Sequence, residues 1–210
     1  GPDTDEPVDE DWLFTWYEYA GKVSNEDLQR LWGQVLAGEF KSPGSCSLRT
    51  LAFLRGLSKS EAELISKVAP FVLGGSIFRR DDKYLEERGL DFQVFLSLQE
   101  IGVIAPGSML SLTVTSVLPN RFVNLLKARK KCLMLEHEDK TRELKLPCYP
   151  LSAIGQELMS LGAFEADMEF MRKVGESIVG EGYKVRLGDW EPAPDNMVNL
   201  SNLQEIKAAE

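Results

Sequence analysis

The chain has 210 residues, of which 43% are hydrophobic and 27% are charged, and its formal net charge is −9 at pH 7. These values are ordinary for a globular protein that buries a sizeable core. The acidic balance disfavours polyanionic partners such as DNA, because binding to DNA begins with neutralisation of its phosphates. No apolar run approaches the roughly 18 residues that a transmembrane helix needs, so the sequence predicts no membrane-spanning segment.

Cysteine usage predicts the compartment and excludes two kinds of site. The chain has three cysteines, at positions 46, 132 and 148, and no C-x-x-C pair. This sparse, odd count argues against a disulfide framework and against a structural zinc site. We therefore predict three reduced thiols in a cytoplasmic protein, with no metal and no cofactor.

The chain starts with Gly-Pro and an acidic stretch rather than with Met. This start looks like the remnant of a recombinant protease site. We therefore expect the natural protein to extend further towards its N-terminus.

Residues 9–73 are predicted to form an all-helical half. The first helix follows an acidic cap and stops near Gly21, and the second, which Ser24 can cap, stops at Gly38. The apolar residues of the first helix that share one face are Trp12, Leu13, Trp16, Tyr17 and Ala20. Those of the second, at i, i+3, i+4, i+7 and i+8, are Leu28, Leu31, Trp32, Val35 and Leu36. This spacing predicts that both stripes face the core, rather than that the aromatic stripe stacks on bases.

Residues 74–190 mix helices with strands. A helix is predicted over 91–103, a half-buried strand near 110–115, and a β-hairpin over 131–147 whose polar turn is H-E-D-K. A closing helix begins near Pro150. This order of helices, hairpin and closing helix is that of a winged-helix fold.

The predicted fold class is therefore mainly α (α+β), with an N-terminal helical half packed on a winged-helix-like half that contains a small antiparallel sheet. The predicted divisions are a linker with the protease remnant at 1–8, a helical subdomain at 9–73, a winged-helix-like α+β subdomain at 74–190 and a flexible tail at 191–210. The tail is predicted from its Pro, Asn and charged residues.

The first 70 residues resemble an uncharacterised bacterial family. The matching features are an aromatic-rich helix, the stretch S-N-E-D-L-Q-R-L-W-G-Q-V-L-A-G-E, the turn P-G-S-C-S-L-R-T-L and the helix start L-S-K-S-E-A. More distantly, the chain is similar to the abortive-infection alpha family, which shares an E-L-Q-x-L-W helix before a winged-helix-like segment. The resemblance implies a bacterial cytosolic protein associated with phage defence. It carries over no catalytic residue, and a shared fold does not assign a function.

A winged-helix order raises the possibility of DNA binding, and the charges of the predicted elements argue against it. The predicted recognition helix, residues 91–103, contains Asp91 and Glu100 but no Lys or Arg. Reading the major groove requires Arg, Lys, Asn or Gln at the base edges, and only Gln93 and Gln99 qualify. The predicted wing tip is acidic on balance.

One basic run remains, at residues 121–131. Its cations form a candidate patch for nucleic acid, an anionic ligand or an acidic membrane surface: Arg121, Lys127, Arg129, Lys130 and Lys131. The alternative interpretation is a solvated helix face or loop, which we favour because runs of charge usually face water.

Catalytic chemistry is weakly represented. His137 is the single histidine and lies at a predicted turn between two glutamates, where a histidine is usually exposed and inert. Cys46 precedes a helix, which would stabilise a thiolate, but the chain has no second histidine to act as its base. A pair of carboxylates is available in any chain with 33 acidic residues, so their presence does not indicate a hydrolytic site. We predict no catalytic residue.

The leading hypothesis is a non-enzymatic interaction or sensing module of a bacterial cytosolic protein in phage defence, with a protein partner or self-association. The alternative is a DNA-associated regulator that binds through residues 121–131. A hydrolytic enzyme with a carboxylate site ranks last.

Overall fold

The computed structural model describes residues 7–24, 26–107, 110–161, 164–194 and 197–208. The helices of these ranges are α1 Glu10–Ala20, α2 Glu26–Lys41, α3 Leu48–Gly56, α4 Lys59–Val68, α5 Asp82–Glu87, α6 Phe92–Glu100, α7 Ala153–Leu161 and α8 Met168–Val179. The strands are β1 Ser76–Phe78, β2 Leu110–Val114, β3 Phe122–Lys127, β4 Lys131–His137, β5 Leu144–Pro150, β6 Lys184–Pro192 and β7 Val198–Ile206.

Side-chain caps set the starts of several helices. The Asp9 carboxylate accepts a hydrogen bond from the backbone N–H of Trp12 at 2.8 Å, which satisfies a donor that the first turn of α1 leaves free. Ser58 and Glu61 form a reciprocal capping box at the start of α4. The predicted all-helical half is present as α1–α4.

The apolar stripes of α1 and α2 are buried only in part. Trp12 of α1 and Trp32 and Val35 of α2 are fully buried. Indole N–H groups also tie α1 to its neighbours, since Trp12 Nε1 donates to the Cys46 carbonyl at 2.7 Å and Trp16 Nε1 donates to the Trp32 carbonyl at 3.0 Å. The remaining members of the α2 stripe, Leu28, Leu31 and Leu36, are half-buried.

The strands form two antiparallel sheets. The first has three strands in the order β1-β5-β2, and the second has four strands in the order β3-β4-β6-β7. Helix α8 packs on the second sheet, where Phe170, Val174 and Ile178 are fully buried. Helix α8 and the four-stranded sheet therefore form two packed layers.

The predicted fold class is wrong in its β part. The chain is α+β, with two antiparallel sheets in place of the single small sheet of a winged-helix-like half. The predicted hairpin over 131–147 does not form, because β4 pairs with β3 and β6 whereas β5 pairs with β1 and β2. The connection after His137 crosses from one sheet to the other, so the H-E-D-K stretch is not a wing tip.

The end of the chain also differs from its prediction. The sequence predicts a flexible tail over 191–210, but Val198–Ile206 forms strand β7 and pairs along β6. Ile206 at the end of this strand is buried. The polar residues of β7 belong to its exposed face, which is why composition suggested a tail.

Helix α7 joins the helical half to the rest of the chain. It packs on both α2 and α3, and the Glu157 carboxylate accepts hydrogen bonds from the backbone N–H of Ser47 at 2.8 Å and from its hydroxyl at 2.9 Å. One apolar core runs from Trp12 to Ile206. Within the described ranges, no helix combines the length and the hydropathy needed to cross a membrane.

Candidate functional site

The predicted basic patch lies on the hairpin of β3 and β4. Lys127, Arg129, Lys130 and Lys131 surround the turn of this hairpin, and Arg121 precedes β3 at its opposite end. The register pairs Phe122 with His137 and Lys127 with Cys132, so Arg121 is separated from the other four by the length of β3. The structure therefore brings together four of the five predicted residues.

Most of these cations face a specific partner. Lys131 pairs with Asp189 at 2.6 Å, Arg129 with Glu165 at 3.6 Å, and Arg121 with Glu136 at 3.8 Å. The Lys127 ammonium lies 4.5 Å from the centre of the Trp190 ring, within the range of a cation–π contact. The positive field of this run is consequently weaker than its sequence suggests.

Hydrogen bonds from neighbouring indole and backbone N–H groups hold the hairpin turn in place. Trp190 Nε1 donates to the Ala128 carbonyl at 2.6 Å, and the Trp190 backbone N–H donates to the Lys130 carbonyl at 3.0 Å. From the other side, the backbone N–H of Gly74 donates to the Lys127 carbonyl at 2.8 Å. A cavity of about 410 Å³ lies between this turn and α7.

The two residues considered for nucleophilic or acid–base catalysis are engaged elsewhere. Cys46 is buried, and burial, together with Glu157 and Glu39, raises the pKa of its thiol to about 12. His137 is half-buried, with Nδ1 accepting from the backbone N–H of Asp139 at 3.0 Å and Nε2 lying 2.8 Å from the Arg142 guanidinium. At neutral pH Cys46 is thus a protonated thiol, which is a poor nucleophile.

A larger recess separates α2 from α4. We call it the α2–α4 groove. Its volume is about 690 Å³, and Leu57, Ile65 and Leu158 lie among its lining residues. The apolar side chains of its walls are Leu28, Leu31, Ala62 and Phe164. Leu28 and Leu31 are the half-buried members of the α2 stripe, so part of the predicted core stripe lines an open groove.

The rim of the α2–α4 groove is mainly cationic. Arg30, Lys59 and Lys67 line it, together with the carboxylate of Glu63. Lys59 lies 3.8 Å from Glu63, with both side chains about two-thirds exposed at 67% and 68%, so this ion pair contributes little. A basic rim stands out on a chain whose net charge is −9.

Helix α1 presents an apolar face to solvent. Phe14 is 74% exposed, Tyr17 is 76% exposed and Leu13 is 37% exposed. The prediction that Leu13 and Tyr17 belong to a core stripe is therefore wrong, because α3 and α2 cover only the Trp12 and Trp16 side of the helix. We call Leu13, Phe14 and Tyr17 the α1 apolar face. Its flanks are acidic, with Glu10 and Glu18 on the same side of the helix.

A signal for this face exists in the sequence. Five of the 11 residues of α1 are aromatic, and successive residues of a helix point in directions about 100° apart. Trp12 and Phe14 are two residues apart and therefore point about 200° apart, so one buried stripe cannot hold both rings and one of them is surplus to the core. The surplus predicts an exposed apolar surface, which the choice of a single core face overlooked.

Comparison with known proteins adds one finding. Residues 2–76 match the model of a family described as "Protein of unknown function (DUF2806)". No curated protein matches the chain, and no solved structure matches it. The match covers α1–α4 and ends at the start of β1, so it includes the α1 apolar face and both helices that wall the α2–α4 groove.

The resemblance to an uncharacterised family is thus confirmed at the level of a domain of unknown function. The distant similarity to the abortive-infection alpha family stays a prediction. The assignment of the S-N-E-D-L-Q-R-L-W stretch as the motif of the family also stays a prediction.

Proposed function

We propose that this chain is a non-enzymatic interaction module that associates with further copies of itself. In the proposed contact, α1 of one copy lies in the α2–α4 groove of the next copy. One observation carries the proposal: a single chain exposes an apolar helix face with acidic flanks and an apolar groove with a basic rim. Such a pair is complementary in both hydropathy and charge.

The dimensions of the two surfaces agree. Helix α1 has 11 residues and is therefore about 16 Å long. Helix α4, which forms one wall of the groove, has 10 residues and is about 15 Å long. The α1 apolar face can therefore lie along the groove, with Glu10 and Glu18 directed towards the rim cations.

The expected contact is weak. Full burial of a large apolar side chain contributes about 1.5–3 kcal/mol, and the α1 apolar face provides three such residues. The loss of translational and rotational freedom offsets much of this contribution. We expect a dissociation constant on the order of 10–100 µM, which suits a module whose assembly responds to local concentration.

The proposed interface is heterologous, because α1 and the groove are different surfaces. Each copy then has one free surface of each kind, and association continues into chains or closes into a ring. The association should also weaken as salt is added, since acidic flanks meet a basic rim and exposed charges are screened.

Complementary variants test this geometry by sedimentation velocity. Phe14→Ser disables the α1 apolar face, and Ala62→Glu places a charge in the groove. We expect each variant alone to sediment as a monomer at concentrations where the unmodified chain assembles. Mixing the two should restore a dimer of one copy each, because the first retains its groove and the second retains its helix face.

Two matched controls accompany these variants. Phe92→Ser removes a Phe that is 56% exposed on α6, and Ala37→Glu adds the same charge at an exposed position of α2. Both should assemble as the unmodified chain does. A chain that stays monomeric throughout, or a Phe14→Ser variant that assembles normally, would overturn the proposal.

A DNA-associated regulator that uses residues 121–131 remains the alternative hypothesis. The contacts of Arg121, Arg129 and Lys131 with carboxylates favour it less than the interaction module. We also propose that the protein acts in a cytoplasmic phage-defence system, on the basis of its resemblance to the abortive-infection alpha family.

A further inference from the structure

The cavity beside the β3–β4 turn combines two kinds of surface. Leu151 and Met159 contribute to its apolar wall, together with Phe164. Lys127 and Arg129 lie at its other side, and the Trp190 ring adds a flat aromatic surface. A cleft that combines apolar surface with a few convergent polar groups is the usual form of a small-molecule site.

The cationic side of the cavity is well fixed at its backbone, and Lys127 lies 4.5 Å from the centre of the Trp190 ring, whereas the Arg129 side chain is loosely held. Hydrogen bonds from Trp190 and Gly74 fix the turn. In contrast, the Glu165 carboxylate that faces Arg129 at 3.6 Å belongs to a side chain that is 85% exposed. Such an exposed pair is weak, so an anion in the cavity can replace Glu165 without a large penalty.

We infer that this cavity is a binding site for a compact amphipathic anion, with a flat apolar body and one carboxylate or phosphate group. The apolar body would lie against Met159, Phe164 and the Trp190 ring. The anionic group would accept hydrogen bonds from Lys127 and Arg129, and charge-assisted bonds of this kind are the stronger ones. The cavity volume of about 410 Å³ falls within the range of roughly 300–1,000 Å³ typical of ligand pockets.

The same geometry favours a small anion over a nucleic acid. A duplex requires cations spaced along a backbone, so that several phosphates are neutralised together. Here Lys131 is committed to Asp189 at 2.6 Å, and Arg121 lies at the far end of β3. Of the other three cations, Lys127 and Arg129 line one cavity and Lys130 does not. This site shares Phe164 with the α2–α4 groove, but Lys127, Arg129 and Trp190 do not line that groove. The inference therefore does not depend on self-association.

The probe for this site is 2-naphthoate, and its neutral analogue 2-naphthamide is the control ligand. Binding of both to the full chain is measured by ligand-observed saturation-transfer NMR. We expect saturable binding of the naphthoate and binding at least about tenfold weaker for the amide, because the amide forms no charge-assisted hydrogen bond.

Variants then locate the site. Lys127→Gln and Arg129→Gln should each weaken naphthoate binding about tenfold, and Gln156→Trp should abolish it by filling the cavity. Lys130→Gln is the matched control, because Lys130 lies in the same turn without lining the cavity. A thermal melt of each variant confirms that it is folded.

Three results would overturn the inference. They are an absence of saturable naphthoate binding, equal binding of the amide, and an equal loss of affinity in Lys130→Gln and Arg129→Gln. The last result would assign the binding to general surface charge.

Discussion

Glu39 is a buried residue of the first half of the chain, and its carboxylate accepts three hydrogen bonds. It is 2% exposed, and its carboxylate accepts hydrogen bonds from the backbone N–H groups of Gly44 and Cys46 and from the Ser45 hydroxyl. Buried carboxylates are stable in proteins when donors surround them in this way. The A-G-E stretch and the P-G-S-C-S turn are therefore one structural unit, in which the Glu side chain holds the turn.

The substitution Glu39→Gln tests this role at the residue scale. The amide nitrogen of the new side chain would face one of the backbone donors, so we expect a loss of about 2–3 kcal/mol in the free energy of unfolding. The matched control is Glu18→Gln, whose carboxylate forms an exposed i,i+4 pair with Lys22 at 2.9 Å. That change should alter stability by less than about 0.5 kcal/mol. Urea unfolding followed by circular dichroism measures both, and equal effects would contradict a structural role for Glu39.

The side chains that surround each basic residue also determine its role. From the sequence, Lys127, Arg129 and Lys131 are equivalent members of one charge run. In the structure Lys131 pairs with Asp189, whereas Lys127 and Arg129 line a cavity. The distinction arises from residues in distant parts of the chain, which no local pattern identifies.

Close packing of α7 depends on a glycine. A Cβ atom added at Gly155 would lie 2.1 Å from the carbonyl oxygen of Val103, far inside any normal contact. The same carbonyl accepts a hydrogen bond from the backbone N–H of Ser152 at 3.0 Å, so the start of α7 cannot move away without breaking it. The glycine in S-A-I-G-Q-E-L thus sets the distance between α7 and the segment after α6.

A pair of Gly→Ala substitutions tests this packing at the element scale. Gly155→Ala should destabilise the fold by about 3 kcal/mol, because overpacking forces the backbone to shift. Gly33→Ala in α2 meets no heavy atom within 4 Å and should stabilise the fold by about 1 kcal/mol through helix propensity. Thermal unfolding measures both, and a stable Gly155→Ala variant would show that α7 sits further from Val103.

The hairpin of β3 and β4 shows why the strand pairing was predicted wrongly. Its turn is formed by Ala128, Arg129 and Lys130, without the Gly, Pro or Asn that usually mark a turn. The backbone N–H of Ala128 donates to the Lys131 carbonyl at 2.8 Å, and Trp190 supplies the further bonds that hold the turn. The more polar stretch after His137 was the better local turn signal, so the sequence pattern favoured the wrong pair of strands.

At the scale of the whole molecule, the helical half depends on residues far along the chain. Glu157 holds the start of α3 through Ser47. Leu158 lies against the α2–α4 groove, and Leu161 lies against Gly38. The region that matches the family model, residues 2–76, therefore lacks one of the helices that completes its core.

We accordingly expect an isolated fragment of residues 1–76 to lack a cooperative thermal transition. The full chain should show one, because its core is continuous from Trp12 to Ile206. Circular dichroism of the fragment measures this, and mixing it with residues 77–210 is the control, since the second fragment supplies α7. A fragment that melts cooperatively at the temperature of the full chain would establish residues 9–73 as an independent domain.

The sequence by itself determined most of the helices of this protein and one of its strands. Capping residues and 3.6-residue spacing predicted the all-helical first half, α6 and α7, since these features act within one or two turns of a helix. Alternation of apolar and polar residues likewise predicted β2. The family match is also a property of the first part of the sequence alone.

Only the tertiary structure decided which strands pair, which apolar faces remain exposed and which cations are neutralised. Each of these depends on partners that are distant in sequence: β5 joins β1 rather than β4, Asp189 neutralises Lys131, and α2 and α3 cover one side of α1 but leave Phe14 and Tyr17 in solvent. Burial and charge pairing are properties of a surface and its neighbours. For that reason the α2–α4 groove, the α1 apolar face and the cavity beside the hairpin appear only once the chain is folded.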